Sequence, residues 1–116
     1  MESIIDTYIN KFNEYPNGKI SFDCEIGTLT FIHDSSNKLI LFEIYVKMEY
    51  RNQGNCKTTI DNLINKSILN NMKFRVVCVI SKILYNFLKK YKSIYGKFLI
   101  KGDGFEFVTF SKKYIN

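Results

Sequence analysis

The stretch Val46-Lys47-Met48-Glu49-Tyr50-Arg51-Asn52-Gln53-Gly54-Asn55-Cys56 decides how the rest of the chain is read. Before it runs an apolar segment, Leu39 to Val46, interrupted by a single charge at Glu43. After it, apolar residues recur at helical spacing: Ile60, Leu63, Ile64, Ile68 and Leu69. The stretch is therefore a polar turn joining a strand to a helix over about residues 55–71. Such a turn presents a helix N-terminus, whose first amides lack partners and carry about half a positive charge. Gly54 lets the backbone adopt a conformation other residues resist and approach a ligand closely. Arg51 can pair with phosphate oxygens. Lys57 stands in the first helical turn, where its charge has the wrong sign for the helix dipole unless an anion sits nearby. Thr58 and Thr59 add hydroxyls. The pattern predicts a phosphate-binding turn.

Working outward, residues 38–48 read as a strand whose near-continuous apolar run predicts a central position with both faces covered. Toward the N-terminus, Ile4, Ile5, Tyr8, Ile9, Phe12 and Tyr15 predict an amphipathic helix over 2–15, ended by Pro16-Asn17-Gly18. Residues 19–26 alternate polar and apolar, and Thr28 to His33 forms a second strand after a reversal at Gly27. Toward the C-terminus, Phe74 to Ile80 reads as an interior strand. A helix over 82–91 turns Ile83, Leu84, Phe87 and Leu88 inward. Lys97–Lys101 and Phe105–Phe110, joined at Gly102-Asp103-Gly104, close the chain as a hairpin. A strand–helix–strand unit in the middle implies one parallel pair within a mostly antiparallel sheet. The class predicted is α+β, one domain spanning 1–116, with helices covering the faces of a mixed sheet.

Composition narrows the function classes. At 116 residues and 46% hydrophobic, the chain suits one domain with a real core. Its wealth of Ile, Asn, Lys, Tyr and Phe reflects codon bias of an A/T-rich genome, viral, phage or low-GC bacterial. The net charge of +6 attracts anions in general. The lysines are scattered, with small clusters only at Lys89, Lys90, Lys92 and at Lys112, Lys113, which reads as a solvated surface rather than a nucleic-acid stripe. Three cysteines at unrelated spacings and a lone histidine, His33, give metal binding no motif. Cys24 and Cys78, inside apolar runs, are expected in the core. With no signal peptide pattern and no apolar run near the ~18 residues of a membrane span, a cytoplasmic location with reduced thiols is expected.

The turn resembles motif A of the GNAT (GCN5-related) N-acetyltransferase superfamily, V-x-P-E-Y-R-x-Q-G-x-G/A. Val46, Glu49, Tyr50, Arg51, Gln53 and Gly54 match at the same spacing, while Met48 replaces the proline and Cys56 the final small residue. The detailed likeness covers residues 38–71, and a looser agreement of element order extends to residue 111. The resemblance implies acetyl-CoA as cofactor and direct acyl transfer to an amine. It implies that Ile44, Tyr45 and Val46 hold the pantetheine arm through their backbone. It also implies that the turn amides of Gln53, Gly54, Asn55, Cys56 and Lys57 hold the pyrophosphate, to which the Arg51 guanidinium and the Thr58 hydroxyl would add by their chemistry.

Catalytic groups are less marked. Glu43 suits a general base if burial raises its pKa; the alternative is a solvated carboxylate on a splayed strand. The family's usual acid is a tyrosine on the helix after the next strand, in a pattern like N-x-x-A-x-x-F-Y. Aligning Phe87 puts Leu88, which has no proton to give, at the tyrosine and Ser81 at the asparagine, where it can still bond pantetheine. Tyr85 or Tyr91 could then serve, and Tyr91 is the one nominated. Cys56 sits at a helix N-terminus, which lowers a thiol's pKa, but its simple reading is a small loop residue. Relatives of this family usually have a strand and two helices before the three-strand meander, where this chain has one helix. An acceptor site more open than usual, admitting a protein lysine or N-terminus as well as a small amine, is the expectation. Three readings follow: an N-acetyltransferase, monomer or homodimer; a catalytically silent acyl-CoA-binding or protein-interaction protein, such as a viral or phage effector; and a basic nucleic-acid-binding module.

Overall fold

The structure, a computed structural model, describes residues 1–110. Helix α1 (Glu2–Asn10) is followed by a 3-10 turn, Phe12–Glu14, and three strands, β1 (Gly18–Asp23), β2 (Gly27–His33) and β3 (Lys38–Val46). A second 3-10 turn, Met48–Tyr50, leads to α2 (Asn55–Leu69). Then come β4 (Lys73–Val76), α3 (Lys82–Lys90), β5 (Gly96–Lys101) and β6 (Gly104–Thr109). The first helix is shorter than its periodicity predicts because Lys11 leaves helical conformation, with φ −114° and ψ 22°. Phe12 and Tyr15 nonetheless pack against the core.

The six strands form one sheet in the order β1-β2-β3-β4-β6-β5. Among the described residues only β3 and β4 run parallel, as a strand–helix–strand connection requires. The fold is α+β with a mostly antiparallel sheet. Gly27 is obligatory where β2 begins: a Cβ there would lie 1.8 Å from the Tyr45 carbonyl oxygen of β3.

Register fixes which side chains share a face. Ile20 and Phe22 lie beside Phe31 and Leu29, which lie beside Leu41 and Ile44. Phe74 and Val76 then pair with Phe107 and Phe105. This face carries the core, and all three helices pack on it through Ile4, Ile5 and Tyr8 of α1, Ile60, Leu63 and Ile64 of α2, and Leu88 of α3. Tyr8 stacks on Phe31 with ring centroids 4.3 Å apart, and its hydroxyl is hydrogen-bonded to His33 Nδ1 at 2.7 Å. His33 is thus a structural anchor for α1.

The opposite face carries Ser21, Thr30, Glu43, Tyr45, Arg75 and Glu106, and no helix among the described residues covers it. This corrects the expectation that helices cover both faces. Leu39, Ile40 and Leu41 are buried, but Glu43 and Tyr45 are exposed. Other inward assignments also differ. Ile68 and Leu69, in the last turn of α2, are exposed, as is Ile83 on α3. Cys24 does pack against the core, whereas Cys78 is exposed. Phe98, Phe105 and Phe107 of the hairpin are core residues. Lys112 and Lys113 lie outside the described residues. No helix among the described residues is long and apolar enough to cross a membrane.

Candidate functional site

The sheet opens between its two parallel strands. Pairing of β3 with β4 runs from Lys38–Lys73 to Leu41–Val76, and the Val77 amide still donates to the Leu41 carbonyl at 3.0 Å. There β4 stops, four residues short of the Ile80 end expected from its apolar run. Cys78 adopts a left-handed φ of 54°, its thiol donates to Asp103 Oδ2, and the Val79 amide donates to the Asp103 carbonyl at 3.0 Å. The β5–β6 turn thereby draws the chain away from β3. β3 itself continues for five residues, Phe42–Val46, paired only to β2. Phe42 is an extra residue in that pairing, since Thr30 faces Glu43 while Phe31 faces Leu41. Such a bulge increases local twist and helps the strand splay. The edge of Phe42–Val46 that would continue the β4 ladder has no strand beside it among the described residues.

The turn from β3 into α2 closes the end of this split. Asn52 and Gly54 both have left-handed backbones, φ 60° and 78°. Nothing lies within 4 Å of a Cβ built on Gly54, so glycine is required there by conformation rather than by space. Gly54 is also the N-cap residue of α2 and offers no side-chain cap. The first α2 amides precede the first helical bond, Thr58 N to Gly54 O at 3.0 Å, and are left for an external acceptor.

Several nominated side chains hold the turn together. Arg51 Nε donates to the Val46 carbonyl at 2.8 Å, and its guanidinium stands 5.6 Å from the Tyr45 ring centroid. Gln53 Nε2 donates to the Glu49 carbonyl and Asn55 Nδ2 to the Tyr50 carbonyl. Tyr50 is tied to Glu25 at 2.8 Å. The terminal nitrogens of Arg51 make no hydrogen bond among the described residues and remain usable for an anion. Of the two threonines, Thr58 is exposed, whereas Thr59 is buried and donates to the Asn55 carbonyl, which removes it as a ligand donor. Cys56 is half-buried against the core, and desolvation pushes its thiol pKa up. Burial disfavours the thiolate, so Cys56 reads as a small packing residue of the turn. Ser81 caps α3, its hydroxyl oxygen accepting from the Leu84 amide at 3.3 Å.

The two catalytic nominees do not meet. Glu43 is exposed on the face without helices, where Thr30 donates to Oε1 at 3.1 Å. It is the solvated alternative, not a buried base. Tyr91 lies under the helices, its ring 5.5 Å from Phe98 and its hydroxyl donating to Asp61. Burial and then the Asp61 carboxylate push its phenol above the ordinary range. Tyr91 is therefore a committed structural donor on the other face of the sheet. Tyr85 is better placed: its ring lies 5.2 Å from Phe105, which pairs with Val76 where β4 ends, and its hydroxyl makes no hydrogen bond among the described residues. The signal that separates the two tyrosines is the end of β4, which apolar periodicity conceals.

A seam between α2 and α3 adjoins the turn. One cavity of about 510 Å³ is lined by Lys57, Ile83, Phe87, Lys90, Tyr91 and Lys92. A second, of about 340 Å³, shares Lys57, Tyr91 and Lys92 and adds Asp61, Asn65 and Ser93. Three lysines line an otherwise partly apolar groove, which suits a ligand joining a flat apolar body to anionic groups. No protein-family model, curated protein or solved structure matches the chain.

Proposed function

We propose that the chain binds acetyl-CoA in the β3–β4 split and transfers the acetyl group to an amine, as an N-acetyltransferase of the GNAT type acting in the cytoplasm. The observation that carries the reading is the parting of two parallel strands at Leu41, directly beside a glycine turn that feeds an uncapped helix. An unpaired strand edge can bond the two amides of pantetheine as an added strand would. The amides of Asn55, Cys56 and Lys57 suit the pyrophosphate, with Arg51 and Lys57 supplying charge. The lysine-lined seam offers room for the nucleotide end, whose ribose carries a further phosphate.

A split sheet has two entrances. With the cofactor's phosphates at α2, on the helix side, the amine would enter from the face that carries Glu43 and Tyr45. Glu43, exposed to solvent, serves as base directly or through a water. The amine nitrogen attacks the thioester carbonyl and loses its proton to Glu43, and the departing thiolate takes a proton from Tyr85. No helix among the described residues covers that face, which favours an amine on an extended protein segment over an enclosed small molecule. The silent reading, an acyl-CoA-binding protein without turnover, draws support from Leu88 and from Tyr91, which is engaged with Asp61. The scattered lysines make a nucleic-acid module the weakest reading, and its mark would be steeply salt-dependent binding to any polyanion.

The test is calorimetric titration of acetyl-CoA into the protein and into an Arg51→Ala, Gly54→Val double variant. Saturable binding that the variant loses is the expected result. Absence of binding by the unaltered protein would overturn the cofactor assignment, and binding without acetylation of any offered amine would leave the silent reading.

A further inference from the structure

The seam contains an ion pair that competes with the ligand it is suited to receive. Lys57 Nζ lies 2.8 Å from Asp61 Oδ2, one turn further along α2. The other carboxylate oxygen, Oδ1, accepts the hydroxyl of Tyr91. Tyr91 is only 9% exposed and is wedged among Phe87, Phe98 and Phe107, so it holds Asp61 in place. Lys57 has no such restraint: its side chain is 66% exposed on a flexible stem. Its position is poor for the helix itself. A cation in the first turn opposes the dipole, and a Lys-to-Asp order at i,i+4 is the weaker orientation for an intrahelical pair. The fixed member is thus the anion, and the movable one is the cation beside the turn amides.

We propose that Asp61 is a resident counter-ion that Lys57 leaves when a pyrophosphate or phosphate ester occupies the turn and seam. Asp61, held by Tyr91, sets how tightly that anion binds. The inference rests on the phosphate-binding reading of the turn, and it names a positioning residue that acts through Lys57. In the ligand-free protein Lys57 is parked on the carboxylate. A bound anion must draw it away, so removing the carboxylate's charge strengthens binding. Asp61→Asn is the natural variant because the amide oxygen can still accept from Tyr91, which preserves the packing.

The experiment measures binding of inorganic pyrophosphate and, separately, of acetyl-CoA, each at low and high salt. It uses the unaltered protein, Asp61→Asn, Lys57→Met and the double variant. Asp61→Asn is expected to bind both ligands about two- to fivefold more tightly at low salt, the span of an exposed ion pair. The gain should shrink at high salt and vanish in the Lys57→Met background. A merely structural Asp61 would change thermal stability and leave this salt- and Lys57-dependent gain absent. Acetyl-CoA binding that is equal in Asp61→Asn overturns the inference and leaves the cofactor assignment standing. Pyrophosphate binding with the stated pattern, but no acetyl-CoA binding, does the reverse. A gain that survives in Lys57→Met means direct repulsion by Asp61 and overturns the mechanism, and no binding of either ligand overturns both.

Discussion

Tyr91 and Tyr85 differ by less than two helical turns in sequence, yet the structure gives them different work. Tyr91 is buried and its proton is committed to Asp61, whereas Tyr85 stands where β4 ends, its hydroxyl without a partner among the described residues. If acetylation occurs, Tyr85→Phe should lower kcat by about 10²-fold or more, the scale of a lost general acid, with little change in binding of acetyl-CoA. Tyr91→Phe should instead lower stability, by about 1–3 kcal/mol for a hydrogen bond lost to a part-buried carboxylate, and leave kcat nearly unchanged. Steady-state kinetics and denaturant melts on the two variants separate these roles, and the reverse pattern would restore Tyr91 as the acid. The residues of the turn were legible in sequence because glycine, arginine and the helix start each carry their own physical signal. The tyrosines were not, because an amphipathic helix places several aromatic residues near one another. Only the three-dimensional packing tells that Tyr91 is engaged with Asp61 while Tyr85 lies against Phe105.

At the scale of elements, the site depends on β4 being short. The residues that follow it, Val77, Val79 and Ile80, are apolar, so the sequence reads as strand to residue 80. The competing interaction is long-range: Asp103, in the turn between β5 and β6, takes both the Cys78 thiol and the Val79 amide. No local pattern announces that contact. The inward face of α2 was likewise readable at Ile60, Leu63 and Ile64. It was not readable at Ile68 and Leu69, which keep helical spacing yet are exposed in the last turn of α2. Two substitutions probe the elements. Leu88 is fully buried between α3 and the hairpin, and Leu88→Ala should cost about 2–5 kcal/mol by leaving a cavity. Ser81→Ala should cost about 1 kcal/mol by removing the cap of α3. Urea melts of both variants measure the difference, and an equal effect would mean that α3 is held by its cap rather than by packing.

The whole molecule is a sheet with three helices on one side and none described on the other. Composition and element order were enough to give the α+β class and the parallel central pair. They could not show that all three helices share a face, because each amphipathic stripe fits either side equally well. Two buried phenols report on the integrity of that layer. Tyr8 and Tyr91 are both pushed above the ordinary tyrosine value of about 10, chiefly by burial. A raised folded-state pKa means that their contribution to stability is complete below the unfolded value and is lost as pH rises through the folded one. In an alkaline titration followed by phenolate absorbance, these two tyrosines should ionise only as the protein unfolds. Their ionisation with secondary structure intact would contradict the packing of α1 and α3.

The central claim is that the cofactor occupies the gap between β3 and β4. Amide hydrogen exchange with and without acetyl-CoA tests it most directly. The account predicts new protection at two separated places, the free edge of Phe42–Val46 and the first amides of α2 at Asn55–Lys57, with little change in β1 or β5. Saturable binding that leaves those amides unprotected, or that protects a different surface, would contradict it.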